Sequence, residues 1–361
     1  MTSPFLYDSL ASKDNFFGRL REIEELKKTT KYSNNLLIFS KRRMGKTTLV
    51  KHFLSLQEDK YLCLYIDIFD MTSKEGFAKA LLSALTNSQK SDIKLAIKTL
   101  TSLFKRVRVE PSIDPVTLEY SIKPIVSTLS FEDMMDDFFD SIKKIAKKKK
   151  IIIAIDEFQQ IATLKNIKLD AYLRKYIQDR ENISYIFLGS KRHLLTSLFS
   201  YKAPMFELAT HFELPPLKQE DIFSYAKKYL DITKEQIDYI YEKSDGETKL
   251  LLHILHLLYI QEKSISNELI NTMISEIINS KDATFRMLFD TLSNNQKIAL
   301  KVVGKYSKGI FSQDVLNEYN IKKQTLQSAI EVLTQKEFID KSDQKYFIPD
   351  RTFEIWVENK I

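Results

Sequence analysis

The stretch that decides the fold is Leu36–Thr48, LLIFSKRRMGKTT. An apolar run leads into a short loop, and Gly45-Lys46-Thr47-Thr48 then opens a helical apolar period. The first four amides of a helix have no partner inside it, and that end carries partial positive charge. A loop joining a buried strand to such a helix start is therefore a cradle for phosphate groups. On this reading Ser40, Lys41, Arg42, Arg43, Met44, Gly45, Lys46, Thr47 and Thr48 bind the phosphates of a nucleotide. Lys46 reaches the β- and γ-phosphates, and the Thr47 hydroxyl ligates Mg²⁺. Ser40 stands where the strict pattern has glycine.

A phosphate cradle needs acids at the end of a second buried strand, and Ile151–Glu157, IIIAIDE, supplies them. Asp156 is expected to hold Mg²⁺ and Glu157 to polarise the attacking water, with Lys46 beside the transferred phosphate. A carboxylate pair at a helix start can be simple capping, but capping does not predict a phosphate loop upstream. At the next strand, SYIFLGS, Ser190 is the candidate polar residue sensing the γ-phosphate; the plain alternative is a capping serine at a strand-to-helix turn.

Outward from these motifs, strands are expected over 35–39, 62–68, 151–155 and 184–188, with helices such as Lys46–Leu56 and Gly76–Leu85 between them. Near-continuous apolar strands with helical crossovers imply a parallel sheet covered on both faces. Residues 104–124 alternate in period two around Ile113-Asp114-Pro115, which reads as an inserted β-hairpin. After Pro215-Pro216 the pattern changes, and residues 218–280 read as helical throughout. Then come a helix at 312–320, a turn at Ile321-Lys322-Lys323, a helix at 324–335, and two short strands at 337–340 and 345–348. That order suggests a winged helix-turn-helix. The expected organisation is an α/β core over 1–213, a helical lid over 214–283 and the winged helix over 284–361.

Gln324, Thr325, Gln327 and Ser328 open the would-be recognition helix, where base-contacting residues belong. Yet residues 285–361 hold 12 Lys and Arg against 10 Asp and Glu, a thin footprint for phosphate binding. Duplex DNA and a protein partner both stay open for this domain.

Composition bounds the rest. With 361 residues, 43% hydrophobic and 29% charged, the chain reads as an ordinary globular protein of more than one domain. The net charge of +7 permits an acidic partner without establishing one. The single cysteine, Cys63, suits a reducing compartment. Neither a signal peptide nor an apolar run of membrane-spanning length is evident, so a cytoplasmic protein without membrane contact is expected. His253 and His256, three apart on an apolar helix, read as packing residues rather than metal ligands. The run Lys147–Lys150 reads as the solvated end of a helix.

Beyond the two motifs, the segments PFLYDSLASKDNFFGRLREIEEL, FSKRRMGKTTLV, IIIAIDEFQQIA, LRKYIQDRENISYIFLGSKRHLL, DGETKLLLHIL and IPDRTFEIWV carry a family likeness. They resemble the archaeal-type ATPase family, an AAA-like, STAND-related branch of P-loop proteins, in its bacterial form with a C-terminal winged helix. The resemblance implies a P-loop NTPase sheet of the additional-strand type, followed by a helical lid and a winged helix-turn-helix. It implies ATP as the nucleotide; no guanine-specific Asn-Lys-x-Asp follows the strands. Phe16, Phe17, Gly18 and Arg19, with Glu22, match the family's segment over the adenine, and members with serine at the Ser40 position occur. Gly246-Glu247-Thr248 falls where the family's lid has Gly-x-Pro, with Lys249 as a substitute cation. The family's finger arginine has no counterpart in Ala203–Glu207, leaving Lys191 or Arg192 as stand-ins.

The function expected is an ATP-binding and ATP-hydrolysing switch whose nucleotide state reaches the winged helix. The alternatives are a DNA-binding regulator or mobile-element accessory factor with incidental hydrolysis, and an ATP-driven assembly scaffold. The oligomeric state is not legible. No second acid cluster suited to a two-metal nuclease is present in the sequence.

Overall fold

The computed structural model describes residues 3–11, 14–88, 93–113, 120–164, 168–178, 181–190, 192–261, 263–306, 308–342 and 345–360. Two units emerge from the contacts: one comprises Arg19–Ser40 and Lys46–Pro215, the other Met1–Gly18, Lys41–Gly45 and Pro216–Ile361. Among the described residues, no helix is long and apolar enough to cross a membrane.

The first unit is built on β1 (Leu36–Phe39), β2 (Leu62–Asp67), the hairpin strands β3 (Arg108–Ile113) and β4 (Tyr120–Ile125), β5 (Ile151–Asp156), β6 (Ile183–Gly189) and β7 (Thr210–Glu213). Five of these form a parallel sheet in the order β2-β5-β6-β1-β7. Strands β5 and β6 are buried at every position, which is why their sequences are unbroken apolar runs rather than alternating ones. Strand β7 is absent from the sequence expectation. Its sequence, THFE, is short and polar because it closes one edge of the sheet beside β1, where three of its four residues are exposed.

The helix Phe131–Ala146 shows how the sheet is covered. Ser130 caps it by accepting from the Asp133 amide, and Phe131, Met134, Met135, Phe138 and Ile142 repeat at helical spacing on its buried face. Burying one such phenylalanine stabilises the fold by roughly 2–3 kcal/mol. On the same helix the buried Asp137 carboxylate accepts the backbone amides of Lys105, Arg106 and Val107 at 3.1, 2.6 and 2.7 Å. These bonds fix the chain where it enters the antiparallel β3–β4 pair, registered Arg108↔Ile125 to Ile113↔Tyr120; Asp114 and Pro115 lie outside the described residues. Lys150 is not merely solvated: its ammonium donates to the Thr30 and Lys31 carbonyls at 3.4 and 2.5 Å, at the negative end of the helix Leu20–Lys31.

The second unit runs through helices Gln219–Ala226, Lys234–Ser244, Thr248–Gln261, Asn267–Ser280, Asp282–Asp290, Asn294–Lys305, Gln313–Glu318 and Lys323–Gln335. Strands β8 (Asp340–Ser342) and β9 (Lys345–Phe347) and the helix Arg351–Lys360 complete it. Capping boxes at Thr233/Gln236 and Ser293/Gln296 start two of the helices. The first wing strand begins at Asp340 rather than 337. Glu337 takes φ 65°, and the amides of Glu337 and Phe338 bond back to Thr334 and Leu333, so these residues end the preceding helix instead of entering the wing. Asp343, at the wing's turn, lies outside the described residues. One apolar core joins Phe5, Leu250, Ile254, Leu300, Leu326 and Trp356.

Candidate nucleotide site

Strand β1 delivers the chain to Ser40, and the helix Lys46–Ser55 takes it back. Between them Arg43 and Gly45 adopt φ of 64° and 86°. Nothing crowds a Cβ at Gly45; glycine is required there because the left-handed backbone strains any L side chain. Lys46 is only 7% exposed. Its ammonium donates to the Ser40 carbonyl and hydroxyl, both at 3.2 Å. Serine at that position thus gives the lysine an acceptor that glycine would lack.

The acids stand at the end of β5. Thr47 and Tyr65 each donate a hydroxyl hydrogen to Asp156 Oδ2 at 2.6 Å, and Asp156 Oδ1 accepts the Glu157 amide at 2.8 Å. Burial and the neighbouring Asp156 charge push the Tyr65 phenol far up, so it stays protonated and donating. Thr47 and Asp156, 109 residues apart in sequence, are therefore brought together as a hydroxyl–carboxylate oxygen pair. Glu157 adopts φ 54°, and its carboxylate accepts from Gln159 Nε2. Among the described residues the buried Ser190 Oγ, just past β6, has no hydrogen-bond partner. Lys191 is outside the described residues, as is the side chain of Arg192.

The residues matched to the adenine segment divide between the units. Phe17 stacks on Tyr225 at 4.1 Å and 7°, and Gly18, at φ 64°, faces Leu217 and Asp221. Arg19, almost fully buried, pairs with Glu22 at 3.0 Å and donates to the Pro215 carbonyl at 2.6 Å. His253 stacks on Tyr7 at 3.8 Å; burial and nearby Lys281, His256 and Lys249 pull it down to about 4.

The apex of the loop belongs to the second unit, and its contacts were not legible beforehand. Lys41 pairs with Asp245 at 2.9 Å and lies 4.9 Å from the ring centre of Phe347 in β9. Arg42 pairs with Glu337. Arg43 pairs with Asp350 at 2.5 Å and with Glu247 at 3.8 Å. The main chain joins in, the Lys249 amide donating to the Arg43 carbonyl at 3.2 Å and the Thr248 hydroxyl to the Met44 carbonyl at 3.4 Å. Lys249 thus meets the loop through its backbone. Burial, set against the attraction of Arg43, raises Glu247 to about 7. The Arg43 pair and hydrogen bonds from Thr352 and Phe353 keep Asp350 low despite its burial. Asp350 and Gln159 lie in the quoted stretches IPDRTFEIWV and IIIAIDEFQQIA; nothing in the sequence marked Tyr65 or Tyr225, or pointed Glu337 at the loop.

The chain is similar to known proteins in sequence and in fold. The family described as an ATPase domain predominantly from Archaea matches residues 16–254, about two thirds of the chain, and a winged helix domain matches residues 283–359. An uncharacterized ATP-binding protein of Pyrococcus horikoshii is 24% identical over 248 residues, covering 66% of this chain and 73% of its own length. The Walker-type ATPase of Pyrococcus abyssi superposes with TM-score 0.69 at 18% identity, over 99% of this chain and all of that one. The Aeropyrum pernix ORC2 protein, solved as ADPNP–ADP complexes, gives 0.58 at 14% identity, over 99% and 96%.

Proposed function

The chain belongs to the archaeal-type ATPase family, and on that premise we propose that it is a switch in which ATP at the loop governs the hold of the loop apex on the lid and winged helix. The observation that carries this reading is the set of ion pairs on three consecutive cations: Lys41 with Asp245, Arg42 with Glu337 and Arg43 with Asp350. A triphosphate brings several negative charges to the same loop. At an effective dielectric of 20, two unit charges 4 Å apart interact by about 4 kcal/mol, so phosphates and these carboxylates compete for the same guanidinium and ammonium groups. A ligand shifts a conformational equilibrium only through contacts that differ between its states. The apex supplies such contacts, and Ser190 would tell ATP from ADP.

For hydrolysis, Glu157 is the proposed general base. Water attacks the γ-phosphorus, its proton passes to the Glu157 carboxylate, and the bond to the bridging oxygen breaks as ADP departs. Lys46 stabilises charge on the transferred group. Thr47 Oγ1 and Asp156 form an oxygen donor set that fits Mg²⁺, a hard cation taking its remaining ligands from phosphate and water. Bound there, Mg²⁺ would neutralise phosphate charge; the residues' own part is to present the hydroxyl and the carboxylate, with Tyr65 fixing the latter.

Hydrogen exchange of residues 283–359, with and without a non-hydrolysable ATP analogue, tests the switch. Faster exchange around Glu337 and Asp350 on analogue binding is expected; identical exchange in both states would remove the coupling. A second reading, in which the winged helix holds duplex DNA, is favoured by the exposed Lys322, Lys323, Gln324, Gln327 and Ser328 at the start of the helix Lys323–Gln335. Fluorescence anisotropy with duplex DNA across a salt series separates it from a protein partner. No salt-dependent binding would leave the protein partner.

A further inference from the structure

Gln159 lies two residues beyond the proposed base and is fully buried. Its amide nitrogen donates to the Glu157 carboxylate. Its amide oxygen, among the described residues, accepts nothing. That oxygen is the atom a Cβ at Gly189 would strike first, ahead of Leu195 at 2.8 Å. Gly189 ends β6, directly before Ser190. Leaving a buried amide half satisfied is destabilising, and a core selected for packing alone would carry leucine or methionine there. The side chain that incurs this cost is aimed at the one carboxylate that must meet a water.

We propose that Gln159 is the positioning residue for Glu157, and that Gly189 lacks a side chain so that the amide can lie between β6 and the base. This rests on the reading of Glu157 as the base. A glutamate has a flexible stem, and Glu157 springs from a left-handed backbone position, φ 54°. The amide donor selects the carboxylate orientation from which a proton can be accepted, so less ordering is required in the transition state. Gln159 itself touches neither nucleotide nor water in this role; it acts through Glu157.

The test is single-turnover ATP hydrolysis by Gln159→Met, alone and in the Glu157→Gln background, with a fluorescent ATP analogue reporting affinity. Methionine keeps the volume and removes both polar atoms. The expected result is a rate lower by roughly 10–100-fold, within what general-base catalysis contributes, at unchanged nucleotide affinity. In the Glu157→Gln background the same substitution should change the residual rate less than about twofold, because residues acting as a unit are not additive. A wild-type rate in Gln159→Met, with Glu157→Gln inactive, overturns the proposal. So does an equal loss in both backgrounds, which marks a purely structural role. Normal hydrolysis by Glu157→Gln would instead remove the base assignment, and the proposal with it. If methionine at 159 prevents folding, Gly189→Ala displaces the amide from the other side and carries the same expectations.

Discussion

The proposed phosphate loop has two halves held by different physics. Its roots are buried and hydrogen-bonded: Lys46 is 7% exposed and holds Ser40, while Thr47 bonds to Asp156, 3% exposed. Its apex is half exposed and held by ion pairs, with the Lys41 and Arg42 side chains at 47% and 46%. Exposed ion pairs contribute about 0–1 kcal/mol each, whereas breaking a buried hydrogen-bonded charge costs several times that. The roots are suited to staying put while chemistry occurs. The apex is suited to letting go.

Four measurements can break or sharpen that contrast. Lys46→Ala, at the buried root, should abolish steady-state hydrolysis, and Glu157→Gln should retain ATP by equilibrium binding while stopping turnover. Asp350→Asn comes next, since Arg43 would keep only the weaker Glu247 contact. It should cost roughly 1–3 kcal/mol in urea unfolding, as expected for a half-buried charge losing its partner, and raise ATP affinity several-fold by calorimetry. An Asp350→Asn protein that binds ATP no better than wild type would mean that apex and phosphates do not compete.

The third measurement is a pH series. Glu247 is raised to about 7 in the folded chain from 4.5, so the folded state holds a proton that the unfolded state releases. The resulting stabilisation is fully present below about pH 4.5 and is lost as pH rises through 7. Its full size is roughly 3 kcal/mol, taking 1.36 kcal/mol per unit. Glu247→Gln should therefore show a shallower loss of denaturant stability between pH 5 and 8 than the wild type. Parallel profiles would remove this assignment. The smallest effect belongs to Asp245→Asn, expected within about 0.5 kcal/mol and vanishing at high salt. A larger effect, persisting in salt, would show the exposed half to be more than a weak latch.

Legibility in the sequence followed the same division. The runs Leu36–Phe39 and Ile151–Asp156, with the loop and acids attached, are contiguous and buried, so their periodicity and chemistry stand out together. The hairpin at 108–125 betrayed itself by alternation. Strand β7 did not, because an edge strand of four residues with three polar side chains carries no apolar run. The wing's first strand was placed too early because apolar Phe338 and Ile339 look strand-like, while the left-handed turn at Glu337 that ends the helix leaves no apolar mark. The apex partners Asp245, Glu337 and Asp350 lie some two to three hundred residues from the loop, and a lone acid says nothing of what it will meet. Gln159 was visible as a letter in DEFQQ. Its aim at Glu157 needed the fold.

The buried Phe5 has a consequence for how the molecule is made. Its ring sits edge-on to Tyr225, Tyr229 and Tyr259, in the same core as Trp356. During synthesis, the strands of the sheet unit have all emerged once Pro215 has cleared the ribosome. Phe5 must wait for ring partners made more than two hundred residues later. At about 5–20 residues per second, that is a delay of ten seconds or more in which an aromatic side chain has no place to go. Slowing translation between Pro215 and Tyr259 should therefore lengthen the time in which the Phe5 ring stays uncovered.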